Sequence, residues 1–167
     1  MKFLSIKMEF IKKIRENFNS YEEIWLFMHI FLLVTVLPLL LKFSSFPRIM
    51  KLITPGDLKV CETLKPEKPI ERIVLFTDYI LRHTFSVFKG SCLKRTLVLY
   101  YLLRKHGIDI QICLGVKYDG ELSDSEAEEK KLDGHAWLLY NGNIFMERNP
   151  EVTKTYKTTY CYPEGKN

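Results

Sequence analysis

The spacing of apolar residues along this chain changes repeatedly, and each change marks a predicted element. Over residues 1–20, Phe3, Phe10, Ile14 and Phe18 fall near helical spacing with Lys7, Lys12, Lys13 and Arg15 between them. This is the pattern of a basic amphipathic helix, packed either on its own domain or on a membrane surface. From Ile24 to Leu41 only His29, Thr35 and Pro38 interrupt eighteen otherwise apolar residues. Such a helix is about 27 Å long against a hydrocarbon thickness of about 30 Å, so length alone does not separate a buried helix from a spanning one. Pro38, the cost of His29 in lipid and basic residues on both flanks favour a buried or membrane-touching helix over a span.

Pro55-Gly56 through Pro66 and Pro69 read as a linker. The chain therefore divides into an N-terminal helical region (1–54), a linker (55–70) and a core (71–167). Within the core, Ile73, Val74, Phe76, Ile80, Leu81 and Phe85 predict a helix over Glu71–Val87 that stops at Lys89-Gly90. A second helix follows at once: Ser91 is a good N-cap, apolar positions recur from Leu93 to Leu103, and Gly107 supplies the stop. The spacing then shortens to two. Ile108–Lys117 alternates and is rich in β-formers, and GHAWLLY and NIFME predict two further strands. Helices followed by antiparallel strands give an α+β fold.

Composition narrows the function more than the fold. At 167 residues and 47% hydrophobic the chain can bury one core, and one active site is the expectation. The net charge is +5, but Asp119–Asp133 holds seven acidic and two basic residues, so the remainder carries +10. That remainder suits an anionic membrane or an acidic peptide. Nucleic acid is set aside, because the Lys and Arg are scattered through apolar helices without a recognition motif. The acidic stretch reads as a solvated loop. Cys61, Cys92, Cys113 and Cys161 form no C-x-x-C pair, so neither a metal nor another cofactor is implied. The N-terminus lacks a continuous apolar core with a cleavage site, and reduced thiols in a cytoplasm are expected.

Cys92 is the candidate for chemistry because it falls in the first turn of its helix. Unpaired N–H groups and the positive end of the helix dipole favour the thiolate, which is the nucleophilic form. The plain alternative is a space-filling cysteine. Around Tyr140-Asn141-Gly142, a two-residue turn would set His135 opposite Arg148, whereas a three-residue loop would set it opposite Glu147. The second loop suits the sequence, and it would let Glu147 orient His135 as the base for Cys92. Asn149, two residues on, is a fallback partner. Cys113 reads as core, Cys61 and Cys161 lie in unpatterned regions, and His106 suits a helix C-terminus. His29 and His83 lack an evident acidic partner, and the tail TYKTTYCYPEGKN carries no readable signal.

The segments SCLKRTLVLYYLLRKHGIDIQICLGV and GHAWLLYNGNIFME together resemble the transglutaminase-like cysteine proteases of lasso-peptide biosynthesis. That resemblance runs from near Tyr21 to Pro150 and implies a transglutaminase-like (papain-like) core. It places the nucleophile on Cys92, the base on His135 and the acidic member on Glu147, where the family more often has aspartate. The implied reaction is removal of the leader from a ribosomally made precursor peptide, with the Cys92 or Leu93 backbone N–H as oxyanion donor. The implied partners are the precursor peptide, a separate small leader-binding protein and an ATP-dependent cyclase; the pattern of residues 1–50, apart from the resemblance, allows a membrane surface as well. Acyl transfer by the same residues, and a non-catalytic scaffold docked on the inner face of the membrane, are the rival functions.

Overall fold

The structure, a computed structural model, describes residues 20–54, 67–83, 92–119 and 131–163. The predicted amphipathic helix over 1–20 (but for its last residue), Cys61, the Ser91 cap and most of the acidic stretch lie outside the described residues. Helix α1 spans Tyr21–Phe43 and starts for a local reason: the Ser20 hydroxyl accepts the Glu23 N–H at 3.3 Å, and Glu22 and Glu23 occupy the positive first turn. It continues through Pro38 as one element. Helix α2 spans Phe46–Ile53 and buries Ile49, Met50 and Ile53. Helix α3 spans Glu67–His83, so it begins inside the stretch expected as linker.

Helix α4 spans Cys92–Lys105 and is the centre of the core, with Leu97, Val98, Leu99, Tyr100, Leu102 and Leu103 all buried. It ends as the sequence predicts. Gly107 takes φ 80°, its N–H reaches the Arg104 carbonyl at 2.9 Å, and the Ile108 N–H reaches Leu103 at 3.0 Å. These two bonds close the last turn with a left-handed glycine where a side chain would be strained. His106 in that turn is half-buried, and burial followed by the charge of Lys105 lowers its pKa. The expectation of a cation complementing the helix end is thereby corrected, since burial favours the neutral ring.

Four strands complete the fold in the order β3-β2-β1-β4, every neighbouring pair antiparallel. Strand β1 (Ile110–Asp119) pairs with β2 (Lys131–Tyr140) along their whole length, from Ile110 opposite Tyr140 to Asp119 opposite Lys131. Lys131–Asp133, read from sequence as loop, are therefore strand. Strand β4 (Lys157–Tyr162) comes from the tail that carried no signal, and a short helix α5 (Pro150–Thr153) precedes it. Ile110, Ile112 and Leu138 join the apolar residues of α1, α2, α3 and α4 in one cluster. The expected N-terminal region thus shares its core with the rest.

Two expectations need correction here. The β2–β3 connection is the two-residue turn, with Tyr140 opposite Asn143, and Asn141 and Gly142 both at positive φ (49° and 76°). An Asn-Gly pair suits that turn because both positions must be left-handed. Strand β3 is only Asn143–Phe145, so neither Glu147 nor Asn149 is a strand residue. Second, Cys113 and Cys161, expected as reduced thiols, face each other across β1 and β4 and are joined in a disulfide.

Candidate active site

Cys92 is the first residue of α4, and its thiol lies 3.8 Å from the Gly134 carbonyl on β2. Thr96, one turn later and buried, directs its hydroxyl at two carbonyls, Cys92 at 2.8 Å and Ala136 at 3.0 Å. One proton is shared between them. The start of α4 is therefore fastened to β2 at Gly134 and Ala136, the two residues that flank His135.

His135 packs against two aromatic rings. Trp137 stacks at 6.0 Å between centroids, and Tyr156 lies at 5.0 Å on a tilted plane. Gly115 leaves the space that Trp137 needs: a Cβ there would lie 2.6 Å from the indole ring and 2.8 Å from the Lys157 carbonyl. Behind Tyr156, its hydroxyl donates to the Asp133 carboxylate. Packed rings of this kind hold an imidazole in one rotamer.

Proton accounting then assigns the ring nitrogens. His135 Nε2 is 3.2 Å from the Thr153 hydroxyl and 3.7 Å from Glu147 Oε2. Thr153 also contacts the Asn149 carbonyl at 3.2 Å. A carbonyl only accepts, so a hydroxyl that donates to Asn149 is open to accept from Nε2–H, the tautomer that the Glu147 carboxylate beside the same nitrogen also favours. In that tautomer Nδ1 is the unprotonated ring nitrogen.

Glu147 reaches the imidazole by a route that the strand pairing did not predict. Continued pairing of β3 would bring Arg148 opposite His135. Instead the strand stops, and Met146 adopts a left-handed φ of 51°. A side chain in that region costs roughly 1–2 kcal/mol, and such strain recurs beside functional groups. The turn brings the Glu147 carboxylate to His135, while its other oxygen accepts the Arg148 N–H at 3.0 Å. The Asn149 side chain makes no hydrogen bond to His135. Its place is taken by Thr153.

Cys92, His135, Glu147, Asn149 and Thr153 line a single open cleft of about 400 Å³ together with Arg82, Arg95 and Arg148. Asp78 on α3 grips two of these guanidiniums, Arg95 Nε at 2.7 Å and Arg148 Nη2 at 2.8 Å. Burial raises the Asp78 pKa, but hydrogen bonds from Arg95 and then Arg148 outweigh it and hold the carboxyl below its usual value. His29 is placed differently: its ring packs edge-on against Tyr101 at 5.9 Å, and burial, then Lys105, lowers its pKa. Among the described residues no group of three or more His, Cys, Asp or Glu is placed to hold a metal ion.

Several of these residues carried no mark in the sequence. Thr153 was the most findable, since Asn149-Pro150 is an N-cap followed by proline at the first helical position, and that pair announces the short helix bearing it. The salt links of Asp78 join residues 17 and 70 positions apart, which no local pattern reveals. A family model described as the transglutaminase-like superfamily matches residues 33–161. Neither the curated proteins nor the solved structures contain a match to the chain.

Proposed function

We propose that this chain, which belongs to the transglutaminase-like superfamily, is a cysteine peptidase that removes the leader from a ribosomally made precursor peptide. Membership supports a papain-like cysteine peptidase or acyltransferase kind of activity. The observation that supports the reading is one cleft lined by a helix-terminal thiol, an imidazole and a carboxylate, the last two 3.7 Å apart. In it Cys92 attacks the scissile carbonyl after Nδ1 of His135 takes the thiol proton. Thr153 and Glu147 hold Nε2, the one by its hydrogen bond and the other by its charge 3.7 Å away. The backbone N–H of Cys92 or Leu93, without an acceptor within the helix, stabilises the oxyanion. His135 then protonates the leaving amine, and water attacks the acyl-enzyme, which breaks the S–C bond and frees the acid.

An open cleft favours water over an amine as the acyl acceptor, which is why hydrolysis is preferred here to acyl transfer. A small leader-binding protein brings the precursor, and an ATP-dependent cyclase consumes the freed core. The exposed side of α1 supports a membrane role: Tyr21 and Trp25 at one end and Phe43 at the other bracket exposed Met28, Phe31, Leu32 and Leu39. Aromatic residues at both ends of an uncharged apolar strip suit a bilayer interface.

The test is to incubate the chain with a leader-bearing precursor peptide and a leader-binding protein and to follow the leader by mass spectrometry. Release of the free leader acid, absent with Cys92→Ala, is the expected result. An amide of an added amine would make the chain an acyltransferase, and an intact precursor would leave the scaffold reading in its place. Flotation with anionic vesicles, lost in Trp25→Asp/Leu32→Asp, tests the α1 face separately.

A further inference from the structure

The proposed chemistry uses Cys92, His135, Glu147 and Thr153, yet the same cleft carries three guanidiniums that it does not use. Asp78 is their counter-charge, and it is shared. Its two oxygens take Arg95 Nε at 2.7 Å and Nη2 at 3.4 Å, and also Arg148 Nη2 at 2.8 Å and Nε at 3.4 Å. One carboxylate thus answers two arginines. Arg82 has no ion pair or hydrogen bond among the described residues, and Glu147 faces His135 and the Arg148 backbone instead. Among the described residues, these arginines carry more positive charge than Asp78 neutralises.

The two paired arginines also differ in access. Arg95 is 12% exposed and its fork is closed against Asp78, whereas Arg148 is 52% exposed with the same carboxylate holding it in place. A guanidinium fixed on one side and open on the other is ready to take a second planar anion, because its five donors exceed what one carboxylate can accept. Arg82, Arg148 and Cys92 line the same cleft of about 400 Å³, so an anion held by the guanidiniums shares that space with the thiol.

We propose that Arg82 and Arg148, braced by Arg95 and Asp78, form an anion subsite that selects peptides with an acidic side chain beside the acyl group attacked by Cys92. The peptide nature of the ligand rests on the function proposed above. The subsite itself does not.

The experiment compares two alkylating agents of similar size, iodoacetate and iodoacetamide, on the full chain. In both the sulfur forms a bond to carbon as iodide leaves, and only the charge of the transferred group differs. Rates are read by mass spectrometry on the peptide that bears Cys92, at pH 9, and expressed as the iodoacetate-to-iodoacetamide ratio relative to a free thiol such as glutathione. A protonated His135 would also attract iodoacetate, so the arginine variants decide. The ratio is expected to exceed that of the free thiol and to fall about two- to fivefold in each of Arg82→Gln and Arg148→Gln. It should hold in Arg82→Lys and decline as salt is raised toward 1 M. A ratio equal to the free thiol's, or one unchanged in both Gln variants, overturns the subsite. Slow iodoacetamide labelling below pH 7 would count against the peptidase reading, and it leaves the ratio free to speak for or against the arginine wall.

Discussion

The two walls of the cleft spend their charge differently. On the His135 side the polar atoms other than Nδ1 are answered locally: Nε2 by Thr153 and Glu147, the Thr153 hydroxyl by the Asn149 carbonyl, the second Glu147 oxygen by a backbone N–H. On the arginine side one carboxylate serves two guanidiniums, and a third has no counter-charge among the described residues. A self-satisfied set of side chains holds a geometry, whereas an unbalanced one waits for a ligand. On the reading proposed above, the first set positions and the second recognises.

The largest effects should come from the satisfied wall. His135→Ala is expected to slow release of the leader by a factor on the order of 10³, because the base is lost. Thr153→Val keeps the shape of the buried residue but removes the acceptor of Nε2–H, and should lower that rate about tenfold, with Thr153→Ser restoring it. A structural role alone would not separate Val from Ser in this way. Gly115→Ala tests the support beneath the imidazole. The added Cβ forces Trp137 to shift and should cost about 1–3 kcal/mol of stability, read as a lower Tm.

The recognition wall yields the smallest change. Asp78→Asn removes a paired carboxylate and should cost about 1 kcal/mol at neutral pH. Because Asp78 is held below its usual pKa in the fold, its contribution is present above the unfolded value and disappears as pH falls through the folded one. The stability gap between wild type and variant should therefore close in acid below about pH 4. A gap that persists there would mean that the asparagine disturbs packing rather than charge.

How far each wall could be read in advance follows the same division. The helix bearing Cys92 was legible because its start, apolar spacing and glycine stop all agree locally. His135 and Glu147 were legible as residue types at a plausible separation, though the loop that was to pair them is not the one formed. Met146 is the reason: nothing marks a methionine for left-handed backbone, and that one φ, rather than strand register, carries Glu147 to the ring. Strand β4 was hidden because Lys157-Thr158-Thr159 is a polar, exposed start to a strand whose inner half alone packs. The arginine wall was invisible altogether, since Asp78, Arg95 and Arg148 meet only through the packing of α3, α4 and the turn after β3. Apolar α1 was recognised as a helix, but which side it buries depends on α3 and α4, not on its own nearly uniform sequence.

The central claim is that Cys92 and His135 act as a pair, and it is tested most directly by the pH dependence of Cys92 alkylation with iodoacetamide in wild type and His135→Ala. Rates are compared after matching thiol exposure in denaturant-free protein. The account predicts rapid labelling that persists below about pH 7 in wild type and is lost in the variant. Labelling that rises only near pH 8.5 in both, as for an isolated thiol, would contradict it.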